Sequence, residues 1–259
     1  MNKETKIRNV PIKKGIYVLP NLFTTASLFA GFYSIVSSIQ EKFVVAAVAI
    51  LVSMVLDALD GRIARFTNTT SKFGAEYDSL ADLIAFGMAP ALLAYIWSMS
   101  FYDKGWMAGF MFVTCGALRL ARFNIQIGII DSKFFNGLPI PAAAAVVATT
   151  VIFFDHIGVE GTFHNPYIMP LIVILSLLMV SNIKYYSGKD MKLFARMPFV
   201  TFSVLLVIIW FLILAKEVAA FVIIVSYAIS GPLWLVFNVI KKIHHREPEE
   251  NQISKQAPK

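Results

Sequence analysis

Long uncharged runs broken by short polar stretches set the pattern of this chain. Phe43 to Leu56 carries no charge, and neither does Leu83 to Tyr102. A helix needs roughly 20 mostly apolar residues to cross a bilayer. Eight segments meet or approach that: 16–40, 43–66, 77–101, 105–127, 138–155, 165–183, 197–215 and 218–240. The pattern predicts an all-α, polytopic transmembrane helix bundle of about eight spans, six being the even alternative. The run from Ile16 to Gln40 is too long for the apolar part of a signal peptide and reads as a first span. The uncharged part of the second segment is too short to cross alone, so its helix must continue through Asp57 and Asp60. The third likewise takes its first turns from Asp78 and Asp82, with a short turn containing "TNTTSK" between them.

The charges orient these spans. Lys and Arg collect in the loops that face the cytoplasm. Of 23 such residues, only Lys42, Lys104 and Lys216 fall in the alternate loops. The others lie before residue 15, in the 2–3, 4–5 and 6–7 connections, and after residue 240. Both termini and the Asp57–Asp82 stretch are therefore expected on the cytoplasmic side. The chain divides into a basic N-terminal segment (1–15), a membrane domain (16–240) and a polar tail (241–259). Composition agrees, with 58% hydrophobic and only 15% charged residues, against about a quarter charged in soluble domains. The net charge of +7 is spread over five segments, as topology requires, and excludes no membrane role while offering no nucleic-acid motif. A single cysteine, Cys115, excludes a disulfide framework and reads as a small buried packing residue. His244 and His245 read as solvated tail residues. The sequon Asn68-Thr69-Thr70 falls on the cytoplasmic side and is discounted.

The stretch "DALDGRIARFTNTTSKFGAEYDSLAD" (57–82) carries the chemistry. At about 100° per residue, Asp57, Asp60, Gly61, Ala64 and Arg65 share one broad helical face. Gly74, Asp78 and Asp82 follow i, i+4, i+8 spacing and share another. Pairing of the two helices brings four carboxylates together, which repel one another and are costly near lipid unless cations hold them ionised. An all-carboxylate set suits hard divalent cations, Mg2+ or Mn2+, and could share two of them. Arg65 on the same face could neutralise a phosphate. Any one of these aspartates alone would pass for a helix-end charge paired with Arg62, Arg65 or Lys72. Their common facing points instead to a metal-dependent site for a phosphate ester at the membrane surface.

Asp57-x2-Asp60-Gly61-x2-Ala64-Arg65-x8-Gly74-x3-Asp78-x3-Asp82 resembles the signature of the CDP-alcohol phosphotransferase family at every defined position. The resemblance implies an integral-membrane transferase that passes the phosphatidyl group of a CDP-linked lipid to an alcohol and releases CMP. It implies that Asp57, Asp60, Asp78 and Asp82 bind two metal ions, with Asp82 also the general base. The same pattern places Gly61, Arg65, Asp57 and Gly74 at the nucleotide. Pro20, Asn21 and Thr24 in "LPNLFTTASLFAGF" resemble a further family element beside it. A homodimer in the cytoplasmic membrane of a prokaryote is expected on the same ground.

The signature does not name the acceptor. "RLARFN" (119–124), "FNGLPIPAAA" (135–144) and "LMVSNIKYYSGK" (178–189) resemble motifs of the bacterial and archaeal phosphatidylserine synthases. That implies CDP-diacylglycerol and L-serine as substrates beside the membrane lipids. Arg119 or Arg122 could hold the carboxylate of a zwitterionic acceptor bidentately, or could equally anchor the helix end by snorkelling. Asn124, Asn136, Ser181, Tyr185 and Lys189 complete the acceptor candidates. Pro139 and Pro141 are expected to shape the start of the fifth helix. No histidine lies near the signature, so direct attack by the hydroxyl is expected rather than a covalent histidine intermediate. The rival readings are glycerol 3-phosphate as acceptor, a cation- or proton-coupled transporter, and a packing scaffold using Gly105 and Gly109.

Overall fold

A computed structural model describes residues 18–67, 71–126, 134–159, 161–162, 164–186, 218–235 and 237. Among the described residues seven helices run in chain order: α1 (Val18–Ile39), α2 (Phe43–Phe66), α3 (Lys72–Met99), α4 (Gly105–Gln126), α5 (Ile140–His156), α6 (Ile168–Val180) and α7 (Val218–Leu235). The expected span at 197–215, the two terminal segments and Lys189 lie outside the described residues. Among the described residues four helices are long and apolar enough to cross a membrane: α1, α2, α3 and α7. α5 and α6 are apolar but shorter. α4 has the length, but Arg119, Arg122 and Asn124 reduce its apolarity.

α1 and α2 form the most extensive pair. Small polar residues line their contact and let the backbones approach. Ser27 and Ser53 lie Oγ to Oγ at 2.7 Å, and each hydroxyl also reaches the other's carbonyl oxygen, at 3.1 and 2.9 Å. α3 crosses this pair so closely that a Cβ on Gly31 would sit 2.6 Å from Ala85 Cα. Behind them Ala46, Ala47, Ile50, Phe86, Leu93, Phe112, Ile140 and Ala144 are buried in one continuous core. Large apolar side chains on the outer faces, among them Phe29, Val52, Phe110 and Leu177, are exposed, as a bundle solvated by lipid requires. Cys115 is partly buried against the core rather than enclosed by it. Gly109 packs toward the Ala91 carbonyl of α3, so this small-residue face is used within the chain.

Two features depart from a run of plain α-helices. α3 widens into π-helical turns at Leu83–Met88 and Tyr95–Met99. The first precedes Pro90, which has no N–H to donate and whose ring crowds the preceding turn. The second departure qualifies the all-α expectation. Phe134–Asn136 (β1) and Lys184–Tyr186 (β2) pair antiparallel, with Phe135 opposite Tyr185 and Asn136 opposite Lys184. These strands come from two of the segments expected to border the acceptor. Gly137 turns the chain out of β1 with φ 79° and donates its N–H to the Ile183 carbonyl at 2.8 Å. A Cβ there would lie 2.2 Å from the Met179 carbonyl oxygen, which leaves room only for glycine.

The connections sort to two ends. Glu41 and Lys42 share a cleft with Asp155 and Gly161, and His164 stacks on Phe101. Ser71, the start of α1, the end of α6 and the β1–β2 pair occupy the opposite end. Filling the α1–α3 crossing should be costly: Gly31→Ala is expected to destabilise by about 1–3 kcal/mol through overpacking. It should appear as a lower melting temperature in detergent. Gly61→Ala, with nothing within 4 Å of the added atom, should leave the melting temperature unchanged or raise it.

Candidate active site

The last turns of α2 and the first turns of α3 bring the carboxylates together. Helical spacing puts Asp57 and Asp60 one turn apart on α2, and Asp78 and Asp82 one turn apart on α3. The Ser71 hydroxyl accepts the Gly74 N–H at 2.9 Å and caps α3, so the helix begins soon enough for Asp78 to face α2. Carboxylate oxygens of Asp57, Asp60 and Asp78 all lie within 4.8 Å of one another. Asp82 meets Asp57 side chain to side chain, one turn deeper.

α1 supplies the third wall. Thr24 donates to Asp60 Oδ2 at 2.7 Å, with the Pro20 carbonyl 3.2 Å away as its alternative. Thr25 and the Tyr77 hydroxyl are 2.9 Å apart and hold α1 to α3. Pro20, Asn21, Thr24, Asp60, Gly61, Ala64, Ser71, Gly74, Ala75 and Asp78 line a cleft of about 160 Å³. Gly61 leaves its floor open, and a Cβ on Gly74 would stand 3.6 Å from Asn21 Oδ1. Asn21, Thr24, Gly61 and Gly74 thus gather with two of the four aspartates, Asp60 and Asp78.

The donor chemistry fits a hard cation. The group is all carboxylate oxygen, and Asp78 Oδ1 is buried without a hydrogen-bond partner. A buried orphan acceptor is costly, and a divalent ion beside it would satisfy it. Asp57, Asp60 and Asp78 are the residues that could hold such an ion.

α4 closes the far side. Arg119 is buried, with its guanidinium carbon 5.5 Å from the Phe123 ring centroid. It lies within electrostatic reach of Asp82 and of Tyr227 on α7, and its Nε has no hydrogen-bond partner. Asn124 donates to the Ser79 hydroxyl at 2.9 Å, tying α4 to the residue after Asp78. Arg122 instead turns to the end of α6, donating to the Val180 carbonyl at 3.3 Å and to Asn182 Oδ1 at 2.5 Å. Ser181 folds back onto the Leu178 carbonyl, and Asn136 sits in β1 opposite Lys184. Tyr185 is fully buried and donates to the Ala228 carbonyl of α7 at 3.1 Å. Burial, with Tyr227 beside it, pushes its phenol up to about 12, so it remains a donor at neutral pH. The backbone of Arg65 lies in α2, and its side chain is outside the described residues.

Sequence reasoning missed Ser71, Tyr77, Ser79 and Tyr227. A Ser immediately before a helical run is an N-cap signal and would have found Ser71. The others are polar partners from neighbouring helices, which no linear pattern exposes.

The family model of CDP-alcohol phosphatidyltransferases matches residues 17–178, and the chain belongs to that family. It is 39% identical over 234 residues to a CDP-diacylglycerol–serine O-phosphatidyltransferase of Helicobacter pylori strain J99, covering 89% of this chain and 96% of the relative. The enzyme of the same name from strain 26695 is 47% identical over 179 residues, 68% of this chain and 75% of the relative. An archaetidylserine synthase of Methanothermobacter thermautotrophicus is 35% identical over 169 residues, 64% and 69% of the two chains.

A ligand that binds only the folded state raises stability, by about 2.7 kcal/mol at a hundredfold excess over its Kd. Mg2+ or Mn2+ should therefore raise the melting temperature of the purified protein. Asp60→Asn and Asp78→Asn should each remove most of that rise, as differential scanning fluorimetry would show.

Proposed function

We propose that the protein transfers the phosphatidyl group of CDP-diacylglycerol to the hydroxyl of L-serine, giving phosphatidylserine and CMP. The observation that carries this reading is the convergence of Asp57, Asp60, Asp78 and Asp82 from two facing helices, in a chain of this family. The names of the Helicobacter relatives supply the acceptor.

The site divides the work. Asp57, Asp60, Asp78 and Asp82 would hold two divalent cations, Mg2+ or Mn2+, which when bound neutralise the pyrophosphate and make the acceptor hydroxyl more acidic. Thr24 fixes the rotamer of Asp60 through its 2.7 Å hydrogen bond. Asn21, Gly61 and Gly74 border the nucleotide, with Arg65 contributing a charge to its phosphates. Asp82, deepest on α3, takes the proton of the serine hydroxyl. The hydroxyl oxygen bonds to the phosphorus bearing diacylglycerol, and the bond from that phosphorus to the bridging oxygen breaks. CMP leaves with the bridging oxygen and its electron pair. Arg119 receives the serine carboxylate, its unpartnered Nε being one arm of a bidentate contact. Arg122 and Asn124 set the edge of this pocket, Asn136 and Tyr185 frame it from the strand pair, and Ser181 from the end of α6.

The same reading places the site at the cytoplasmic face of a prokaryotic inner membrane, with eight spans, both termini inside and two copies per assembly. The charge distribution supports the orientation. The span count is supported by the direction of α7. Phe221, near its start, stacks on Phe153 at 4.7 Å, whereas Ala228 meets Tyr185 near the carboxylate end.

Purified enzyme supplied with CDP-diacylglycerol, a divalent cation and one acceptor at a time should release CMP with serine. Release with glycerol 3-phosphate but not serine would overturn the acceptor. Asp82→Asn should lower kcat by about 10²–10⁴-fold, the usual contribution of a general base. Retention of wild-type turnover would remove Asp82 from that role.

A further inference from the structure

Asp78 must face α2 for the carboxylates to converge, and packing against α2 does not hold it there. The Lys72–Asp82 end of α3 lies against α1 far more than against α2. Asp60, Gly61 and Ala64 of α2 and Gly74, Ala75 and Asp78 of α3 instead line an open cleft. The π-helical turn at Leu83–Met88 separates this end of α3 from the half packed in the core. Repulsion among the carboxylates pushes Asp78 away from Asp57 and Asp60. Rotation of these first turns about the helix axis therefore needs a restraint of its own.

The two residues that flank Asp78 supply it. Successive side chains on a helix diverge, so Tyr77 and Ser79 leave α3 on opposite sides of Asp78. The Tyr77 hydroxyl lies 2.9 Å from Thr25 Oγ1 on α1. Thr25 commits its own proton to the Asn21 carbonyl at 2.7 Å, so the phenol is the donor. On the other side, Asn124 Nδ2 in the last turn of α4 donates to Ser79 Oγ at 2.9 Å. The Ser79 hydroxyl gives its proton to the Ala75 carbonyl of its own helix at 3.0 Å. Toward α4 it can only accept, and the Asn124 amide meets it with a donor. The Phe73 ring stacks on Tyr77 with centroids 6.1 Å apart and limits the swing of the phenol. Asn124 is steadied in turn by Arg122, which anchors the same end of α4 to the Val180 carbonyl at 3.3 Å. A rotation of α3 in either sense stretches one of these two bonds.

We propose that Tyr77 and Asn124 are positioning residues for the cation site: their opposed hydrogen bonds hold α3 in the rotation that turns Asp78 and Asp82 toward Asp57 and Asp60. Asn124 thereby acts on the carboxylates as well as on the edge of the acceptor pocket. The inference rests on the reading of these aspartates as ligands of divalent cations.

The test is a titration of the purified full chain with Mn2+, without CDP-diacylglycerol or serine, following loss of the free-ion signal by electron paramagnetic resonance. Leaving out the acceptor keeps any contact of Asn124 with serine out of the measurement. Tyr77→Phe keeps the ring and removes the hydroxyl, and Asn124→Ala removes the amide. Each should raise the Kd for Mn2+ about fivefold, the weight of one neutral hydrogen bond. Ser79→Ala should match Asn124→Ala, and the pair together should add nothing further, since both break the same bond. The metal-free melting temperature should stay close to wild type, because release of α3 relieves the repulsion that the bond had opposed. A bond that serves only the fold would lower that temperature and leave the Kd within about twofold of wild type, which would overturn the proposal. Independent, multiplying effects of Ser79→Ala and Asn124→Ala would overturn it too. Asp78→Asn in the same titration separates the two readings. If the wild type binds no Mn2+, or Asp78→Asn binds it as tightly, the cation site falls and this inference with it. If Asp78→Asn weakens binding while Tyr77→Phe or Asn124→Ala matches wild type, only this inference falls.

Discussion

Three carboxylates held within 4.8 Å of one another are the constraint around which the fold is arranged. At an effective dielectric constant near 20, each such pair repels by about 3 kcal/mol or more. Two helices carrying that repulsion at their facing ends would part unless something behind them resisted. The resistance comes from close approach along their length. The reciprocal Ser27–Ser53 contact locks α1 to α2, and the Gly31–Ala85 crossing locks α1 to α3. α1 is therefore the clamp for a site to which it contributes no carboxylate. Thr24 makes the same point at short range, since its hydroxyl holds Asp60 from the α1 side.

The π-helical turn after Asp82 follows from the same constraint. Asp78 and Asp82 need regular helical spacing to stay on the face that meets α2. One turn later the helix must place Ala85 against Gly31 and lead into Pro90. A π turn inserts one residue and rotates everything after it relative to everything before. The polar and the apolar halves of α3 are thereby aimed independently. The carboxylate end serves the site, and the remainder serves packing against α4 and α5.

What could be read from the sequence was whatever depends on local periodicity. Lipid as solvent leaves spans as long apolar runs, and helix geometry makes the facing of Asp57, Asp60, Asp78 and Asp82 a matter of counting. The PNxxT element at Pro20, Asn21 and Thr24 was legible as a motif, and α1 does deliver it to the cleft. What escaped depends on contacts between distant segments. β1 and β2 are three residues each, too short for an alternating pattern to register against apolar surroundings. The π turns leave composition unchanged. Arg119 and Arg122, three residues apart on one helix, diverge because one is buried within electrostatic reach of Asp82 and the other bonds to the end of α6. The partner decides, and in both cases it belongs to another helix or loop far along the chain.

The boundary of the family match gives the division of the molecule a physical sense. The match ends at residue 178, after every residue that lines the carboxylate cleft. Tyr185, Tyr227 and Gly231 lie beyond it. A family that shares one displacement at phosphorus but varies the attacking alcohol needs a common cleft and a variable neighbour. The variable part must touch the reacting centre without altering the metal ligands. Arg119 fits that requirement: it stands on α4 within the matched region, adjoins Asp82, and faces a helix outside the matched region.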